Sequence, residues 1–183
     1  TTWSAPIRVA DAARPVSSEV RSIIGTGDGS VREEEVEELL KRRYQIINVW
    51  RNISEHPIAT DPLGVADGRT VKQECYIPTD LVYRDRRGQT YSVTHDPEQR
   101  WYFFSGMAKN EALLLKCYDS VEQADLTRWT AHVGFQDPRS PADAPTRESI
   151  DARCIAFFSD SDLPCSDRTA SEIFPGFSGA AAA

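Results

Sequence analysis

The sequence predicts an all-β domain, a sandwich or barrel with one or two helices gathered at its front. Three observations carry that expectation. Short runs rich in branched and aromatic residues recur between residues 44 and 158 and alternate in the strand manner. Clusters of Gly, Pro, Asp and Ser separate them at the spacing of antiparallel strands. There is no alternating β–α–β order and no glycine-rich phosphate loop, which removes the dinucleotide-binding folds.

The 183 residues amount to one domain, with helices expected within 17–43, a β core over 44–158 and a polar tail over 159–183. A hydrophobic fraction of 40% is that of a globular chain with a sizeable core. With 28 Asp and Glu against 21 Lys and Arg, the net charge of −7 disfavours nucleic acid or an anionic membrane as partner. No run approaches the roughly 18 apolar residues of a membrane span. Residues 3–16 lack the basic-then-apolar order of a signal peptide, so a cytoplasmic location is expected. The four cysteines, Cys75, Cys117, Cys154 and Cys165, form no CxxC pair. They read as reduced structural thiols, not as a zinc site.

Residues 17–25 carry Ser at the start, Val20, Ile23 and Ile24 on one face and Gly25 at the end, the pattern of a short helix. Ser30-Val-Arg-Glu33 is a capping box leading into a second helix over 34–43, acidic early and basic late as the helix dipole prefers. Val36, Leu39, Leu40 and Tyr44 make its buried stripe. Tyr44-Gln-Ile-Ile-Asn48-Val-Trp50-Arg51 is the strongest strand, and its apolar continuity predicts burial on both faces. A buried Asn48 then needs partners. Further strands are expected at 64–71, 81–83, 90–93, 100–104, 112–118, 130–135 and 149–158, with a charged turn over 84–89.

The stretch 128–158 organises the reading. Its two alternating ends, Arg128-Trp-Thr-Ala-His132 and Arg147-Glu-Ser149-Ile-Asp-Ala-Arg153, place His132 and Arg153 so that both could enter one interior. An imidazole holds a metal and a guanidinium forks onto a carboxylate; a surface His and a charged strand end is the plainer reading. Lys116, in an apolar strand, reads as a partner for a bound carboxylate or as an ion pair with Asp119. Trp50, Trp101, Tyr102 and Trp129 are candidate walls of an aromatic pocket or ordinary core, and Arg51 and Arg100 beside them candidate contacts for substrate oxygens. Asp67 and Arg69 are expected to pair across a turn. His56 and His95 sit in turn-like sequence and read as exposed. No nucleophile–histidine constellation is present.

Six motifs in order resemble the CmcJ/AsaB-like hydroxylase–desaturase family of bacterial and fungal secondary metabolism, which includes gibberellin desaturases. They are the 44–51 strand, Pro62-Leu-Gly-Val-Ala-Asp-Gly-Arg-Thr-Val71, Gln99-Arg-Trp-Tyr-Phe103, Glu111-Ala-Leu-Leu-Leu-Lys-Cys-Tyr-Asp-Ser120, the 128–132 run and the 147–153 run. The resemblance implies a double-stranded β-helix (a cupin-like jelly-roll) and a hydroxylase or desaturase acting on a small secondary metabolite with Fe(II) and 2-oxoglutarate. In that reading His132 is the distal metal ligand. Arg153, or Arg147 with Ser149, clamps the 2-oxoglutarate carboxylate, with Lys116 and Asn48 as further candidates in the cosubstrate pocket. Trp50, Arg51, Arg100, Trp101 and Trp129 would line the substrate pocket.

One part of the family pattern is missing. The HxD pair belongs just before the first helix, where this sequence runs Arg14-Pro-Val16-Ser17-Ser-Glu19, and no histidine precedes His56. Both cofactors therefore rest on an incomplete ligand set. Two readings stay open: ligands supplied by residues absent between Val16 and Ser17, or a pocket that has lost its metal. The second would be a metal-free cyclase or isomerase on the same scaffold (a pericyclase such as a hetero-Diels–Alderase, or a dehydratase) working by positioning and hydrogen bonding. A non-catalytic small-molecule binder is a third reading. Oligomeric state is not written in the sequence.

Overall fold

A computed structural model describes residues 33–84, 87–123 and 126–158. The expected helix at 17–25, the HxD position, Glu19 and the tail lie outside the described residues.

One helix, α1 (Glu33–Leu40), precedes eight strands: β1 (Tyr44–Asn52), β2 (Leu63–Ala66), β3 (Tyr76–Val82), β4 (Arg87–Val93), β5 (Trp101–Phe103), β6 (Ala112–Asp119), β7 (His132–Gly134) and β8 (Ser149–Phe157). They form two three-stranded sheets, β6-β1-β8 and β5-β2-β7, and a β3-β4 hairpin, with every pairing antiparallel. The predicted all-β architecture is what the chain adopts.

The layers follow from side-chain alternation. Trp50, Leu113 and Leu115 of the first sheet pack on Leu63 and Val65 of the second. The opposite face of the second sheet, through Ala66, Trp101 and Ala131, packs on Tyr76, Tyr91 and Val93 of the hairpin. Val36 and Leu40 of α1 close one end over Tyr44, Ile46, Cys117 and Tyr118. The second sheet thus buries both faces and the first sheet and the hairpin one each, at about 25 cal/mol for every Å² of apolar surface removed from water.

Three expectations are corrected. The second helix ends at Leu40, so the basic residues 41–43 lie beyond it. The reason is Arg43, which leaves the helical path to fork onto Asp119, Nε to Oδ1 at 3.1 Å and Nη2 to Oδ2 at 2.7 Å. The strand expected over 64–71 stops at Ala66, because Asp67 turns the chain by accepting from the Arg69 backbone and guanidinium; the expected Asp67–Arg69 pair is present. Finally, β1 is buried on one face only. Tyr44, Ile46, Asn48, Trp50 and Asn52 are buried, while Gln45, Ile47 and Val49 on the other face are half-buried and Arg51 is exposed. Cys75 and Cys117 are buried free thiols, whereas Cys154 is free and exposed on the outer face of β8.

Asp119 ties these pieces together. It is wholly buried and also accepts from Gln45 Nε2 at 2.7 Å, Lys116 Nζ at 3.3 Å and the Val121 amide at 3.2 Å, while its carbonyl accepts from Arg128 Nε at 3.0 Å. Burial works to raise its pKa, but the bonds from Arg43, Gln45 and Val121 outweigh that and hold the carboxyl below its ordinary 3.8. A depressed carboxyl adds stability that is present at neutral pH and lost as acid titrates it through its folded-state value, below 3.8. Asp119→Ala is expected to cost about 1–3 kcal/mol in denaturant unfolding at pH 7, because it leaves Gln45, the Val121 amide and the part-buried Arg43 and Lys116 without their acceptor. Asp119→Asn is expected to flatten the loss of stability on the acid limb.

Candidate functional site

Register decides which candidates meet. On β2, Val65 lies opposite His132 and its neighbour Ala66 lies opposite Trp101. Adjacent strand residues point to opposite faces, so His132 faces the first sheet, with Val65, and Trp101 faces the hairpin. Across the sandwich, Arg153 lies opposite Asn48 and Asp151 opposite Trp50, all on the inward face of β1 and β8. His132 and Arg153 thus lie on the facing sides of two packed sheets, and the Arg153 charge bears on the imidazole.

His132 is half-buried, and its Nδ1 is 2.9 Å from the carbonyl of Thr130. A carbonyl only accepts, so Nδ1 carries the proton and Nε2 keeps the lone pair. Burial pulls the pKa of His132 below 6.5, the Thr130 carbonyl and Asp151 push it back up, and Arg153 lowers it again. The ring is thus held neutral near pH 7 in a fixed tautomer, the state a metal ligand requires. Asn48 links the charges opposite it. Its Oδ1 accepts from Arg153 Nε at 3.2 Å and its Nδ2 donates to Asp151 Oδ2 at 3.2 Å. The expectation that a buried Asn48 finds partners is met.

Arg147 has a different task. It donates to the carbonyl of Asp61, a non-glycine residue with φ of 47°, and its guanidinium lies over the Trp50 ring at 5.6 Å. A Cβ on Gly134 would meet its Nη1 at 3.3 Å, so glycine there lets Arg147 lie against β7. Arg147 straps the loop before β2 to Trp50 and β7. Ser149 is half-buried at the start of β8, opposite Asn52.

The remaining candidates lie elsewhere. Trp129 is core between the second sheet and the hairpin, stacked on Tyr91 with ring centroids 5.9 Å apart. Trp101 lines an apolar cavity of about 490 Å³ with Phe103, Phe135 and His95, on the far side of the second sheet from His132. Lys116 is taken by Asp119 and the Thr127 carbonyl, the plainer of its two readings. Arg51, on the outer face of β1, donates to the Lys109 carbonyl, and Arg100 is exposed at the start of β5. His56 and His95 are exposed, as expected. The sequence reading missed Asp151, although its spacing of two from Arg153 puts both on one strand face. Its spacing of three between Trp129 and His132 likewise argued against a shared wall.

The ligand chemistry implied by the motifs is met in part. His132 suits one metal position and Arg153 suits a carboxylate, but no group of three or more His, Cys, Asp or Glu able to hold a metal occurs among the described residues.

NMR titration is expected to give His132 a midpoint below 6.5. Asp151→Asn should lower it further and Arg153→Leu should raise it, since the two charges act on the ring with opposite sign.

Residues 26–157 match a family model described as YDMC, oxidoreductase/YMDC permease-like domain. Aspirochlorine biosynthesis protein N of Aspergillus oryzae is 44% identical over 128 residues, covering 68% of this chain and 52% of that protein. The hydroxylase/desaturase asaB of Aspergillus flavus is 37% identical over 142 residues, covering 70% and 62%. Among solved structures, an iron and alpha-ketoglutarate-dependent endoperoxidase, NvfI, matches with a TM-score of 0.65 and 29% identity over 83% of this chain and 54% of its own. The chain spans about half the length of these relatives. The expected jelly-roll class is confirmed by that structural match. With the family model covering most of its length and relatives 44% and 37% identical over about two thirds of it, the chain belongs to this oxidoreductase-like family, the one its motifs resemble as the CmcJ/AsaB-like hydroxylase–desaturases.

Proposed function

We propose that this chain carries the distal-histidine and arginine half of an Fe(II)/2-oxoglutarate oxygenase site, working as a hydroxylase or desaturase on a small secondary metabolite. The observation that supports it best is the neutral, tautomer-fixed His132 set across the sandwich from Arg153. The names of the relatives agree with it: hydroxylase/desaturase, and Fe(II)/2-oxoglutarate-dependent dioxygenase for nvfI of Aspergillus novofumigatus, 35% identical over 126 residues.

In this reading His132 gives Nε2 to the metal while Thr130 holds the ring in place through Nδ1. Arg153 orients the far carboxylate of 2-oxoglutarate, and Asn48 keeps the guanidinium in its plane. Arg147 serves the architecture of the site, since its contacts are Asp61 and Trp50. Trp50 supplies an apolar wall beside the site. The iron and its cosubstrate would supply the oxidising power needed at an unactivated C–H bond; the residues bind, orient and exclude water.

The test is anaerobic loading of the full chain with Fe(II) and 2-oxoglutarate, followed by elemental analysis and succinate measurement in air. Wild type is expected to retain iron and release succinate, and His132→Ala to lose at least about tenfold in iron affinity. No iron uptake by wild type sinks the proposal. A substrate rearrangement that survives chelator would select the metal-free cyclase instead.

A further inference from the structure

The proposed chemistry uses only the face of the second sheet that carries His132. The other face holds the cavity of about 490 Å³, and Gly64 is its floor. The strand partners of Gly64, Phe103 of β5 and Val133 of β7, share its face and line the same cavity. The missing side chain between them leaves a slot. A Cβ on Gly64 would lie 3.4 Å from the Phe135 ring, an ordinary contact, so the backbone accepts a side chain there and only the hollow would be lost.

Trp101 forms a wall that is fixed in advance. Its indole N–H donates to Gln99 Oε1 at 3.3 Å, and Gln99 Nε2 donates to the Thr94 carbonyl at 2.8 Å. Buried Val93 closes the inner end. Among the described residues no Asp, Glu, Lys or Arg lines the cavity. His95 and Gln136 are exposed at its open side, and neither side chain has a hydrogen-bond partner among the described residues.

We infer that this cavity is a second ligand site, one that takes an uncharged, flat aromatic small molecule with a hydroxyl or carbonyl at one edge. Its volume lies within the roughly 300–1,000 Å³ of small-molecule sites. An anion such as 2-oxoglutarate would lose its hydration there and meet no cation, so the occupant is neutral. An aromatic ring gains most against Trp101 and Phe103, because stacked and edge-on contacts add to the area buried. His95 and Gln136 then bond the polar edge, since amide and imidazole can each donate and accept. The occupant touches Val133 from one side of β7 while His132 points to the other, so the two sites share a strand and no space.

The experiment is fluorescence titration of the full chain with N-phenyl-1-naphthylamine, a neutral aromatic probe that brightens in apolar surroundings, followed by displacement with 2-naphthol and with naphthalene. Wild type is expected to bind the probe saturably at one site. Gly64→Leu and Val133→Trp, which fill the slot, are expected to weaken it at least about tenfold, and His132→Ala to leave it unchanged. His95→Phe combined with Gln136→Leu is expected to lower the ratio of 2-naphthol to naphthalene affinity about fivefold. Thermal melts identify a variant that has merely unfolded, and this exposed pair decides the matter where a filling variant does not fold. No saturable binding by wild type, wild-type affinity in the folded filling variants, an unchanged ratio in the exposed pair, or loss of the probe in folded His132→Ala overturns the inference. Probe affinity that falls as protein concentration rises shows a second copy closing the cavity, and overturns it too.

Discussion

The site depends on the register between β1 and β8. Nine successive pairs, from Tyr44 with Phe157 to Asn52 with Ser149, fix which residues of each strand face inward. Backbone bonds from Phe158 to Arg43 and from Ile53 to Glu148 extend the ladder at both ends. A slip of β8 by one residue would turn Asp151 and Arg153 away from Trp50 and Asn48 and bring Ile150, Ala152 and Cys154 to their face.

The second sheet is held to this frame by the segment that runs into His132. Arg128 packs between Tyr118 and Trp129, bonds Tyr118 Oη and the Asp119 carbonyl, and so joins β6 to the approach of β7. The Thr130 amide then donates to the Lys116 carbonyl, and the Thr130 carbonyl receives His132 Nδ1. Gly68 permits the close passage of this segment, since a Cβ there would come within 2.2 Å of Thr127 Cγ2. The buried Asp119 is thus linked to the orientation of His132 through a short chain of bonds. An aromatic and charged motif that reads as functional contains one residue at the site, His132, and two, Arg128 and Trp129, that hold it there.

The same alternation sorts the two faces of the second sheet. The face toward β6-β1-β8 holds His132 and its charged neighbours, while the face toward the hairpin holds the apolar cavity with Trp101, Phe103 and Phe135. Placing Trp50, Trp101 and Trp129 in one pocket treated aromatic residues as equivalent, whereas strand parity separates Trp50 from Trp101 and Trp129.

Much of this was legible in the sequence, because alternation and turn chemistry are local. The strands at 44–52, 101–103, 112–119 and 149–157, the turn pair of Asp67 and Arg69 and the exposure of His56 and His95 follow from spacing along the chain, whereas β3 starts at Tyr76, ahead of the expected 81–83 run, and β4 takes in residues 87–89 of the expected charged turn. What the sequence by itself determined is which residues share a strand face, since that needs only the two-residue period of an extended backbone. What only the tertiary structure decided is which faces oppose each other and which charges pair across them. Arg43 and Lys116 choose Asp119, Arg147 chooses Asp61 and Trp50, and Asn48 joins Asp151 to Arg153. Those choices depend on separations of up to 105 residues along the chain, brought within bonding distance by sheet packing that no local pattern encodes.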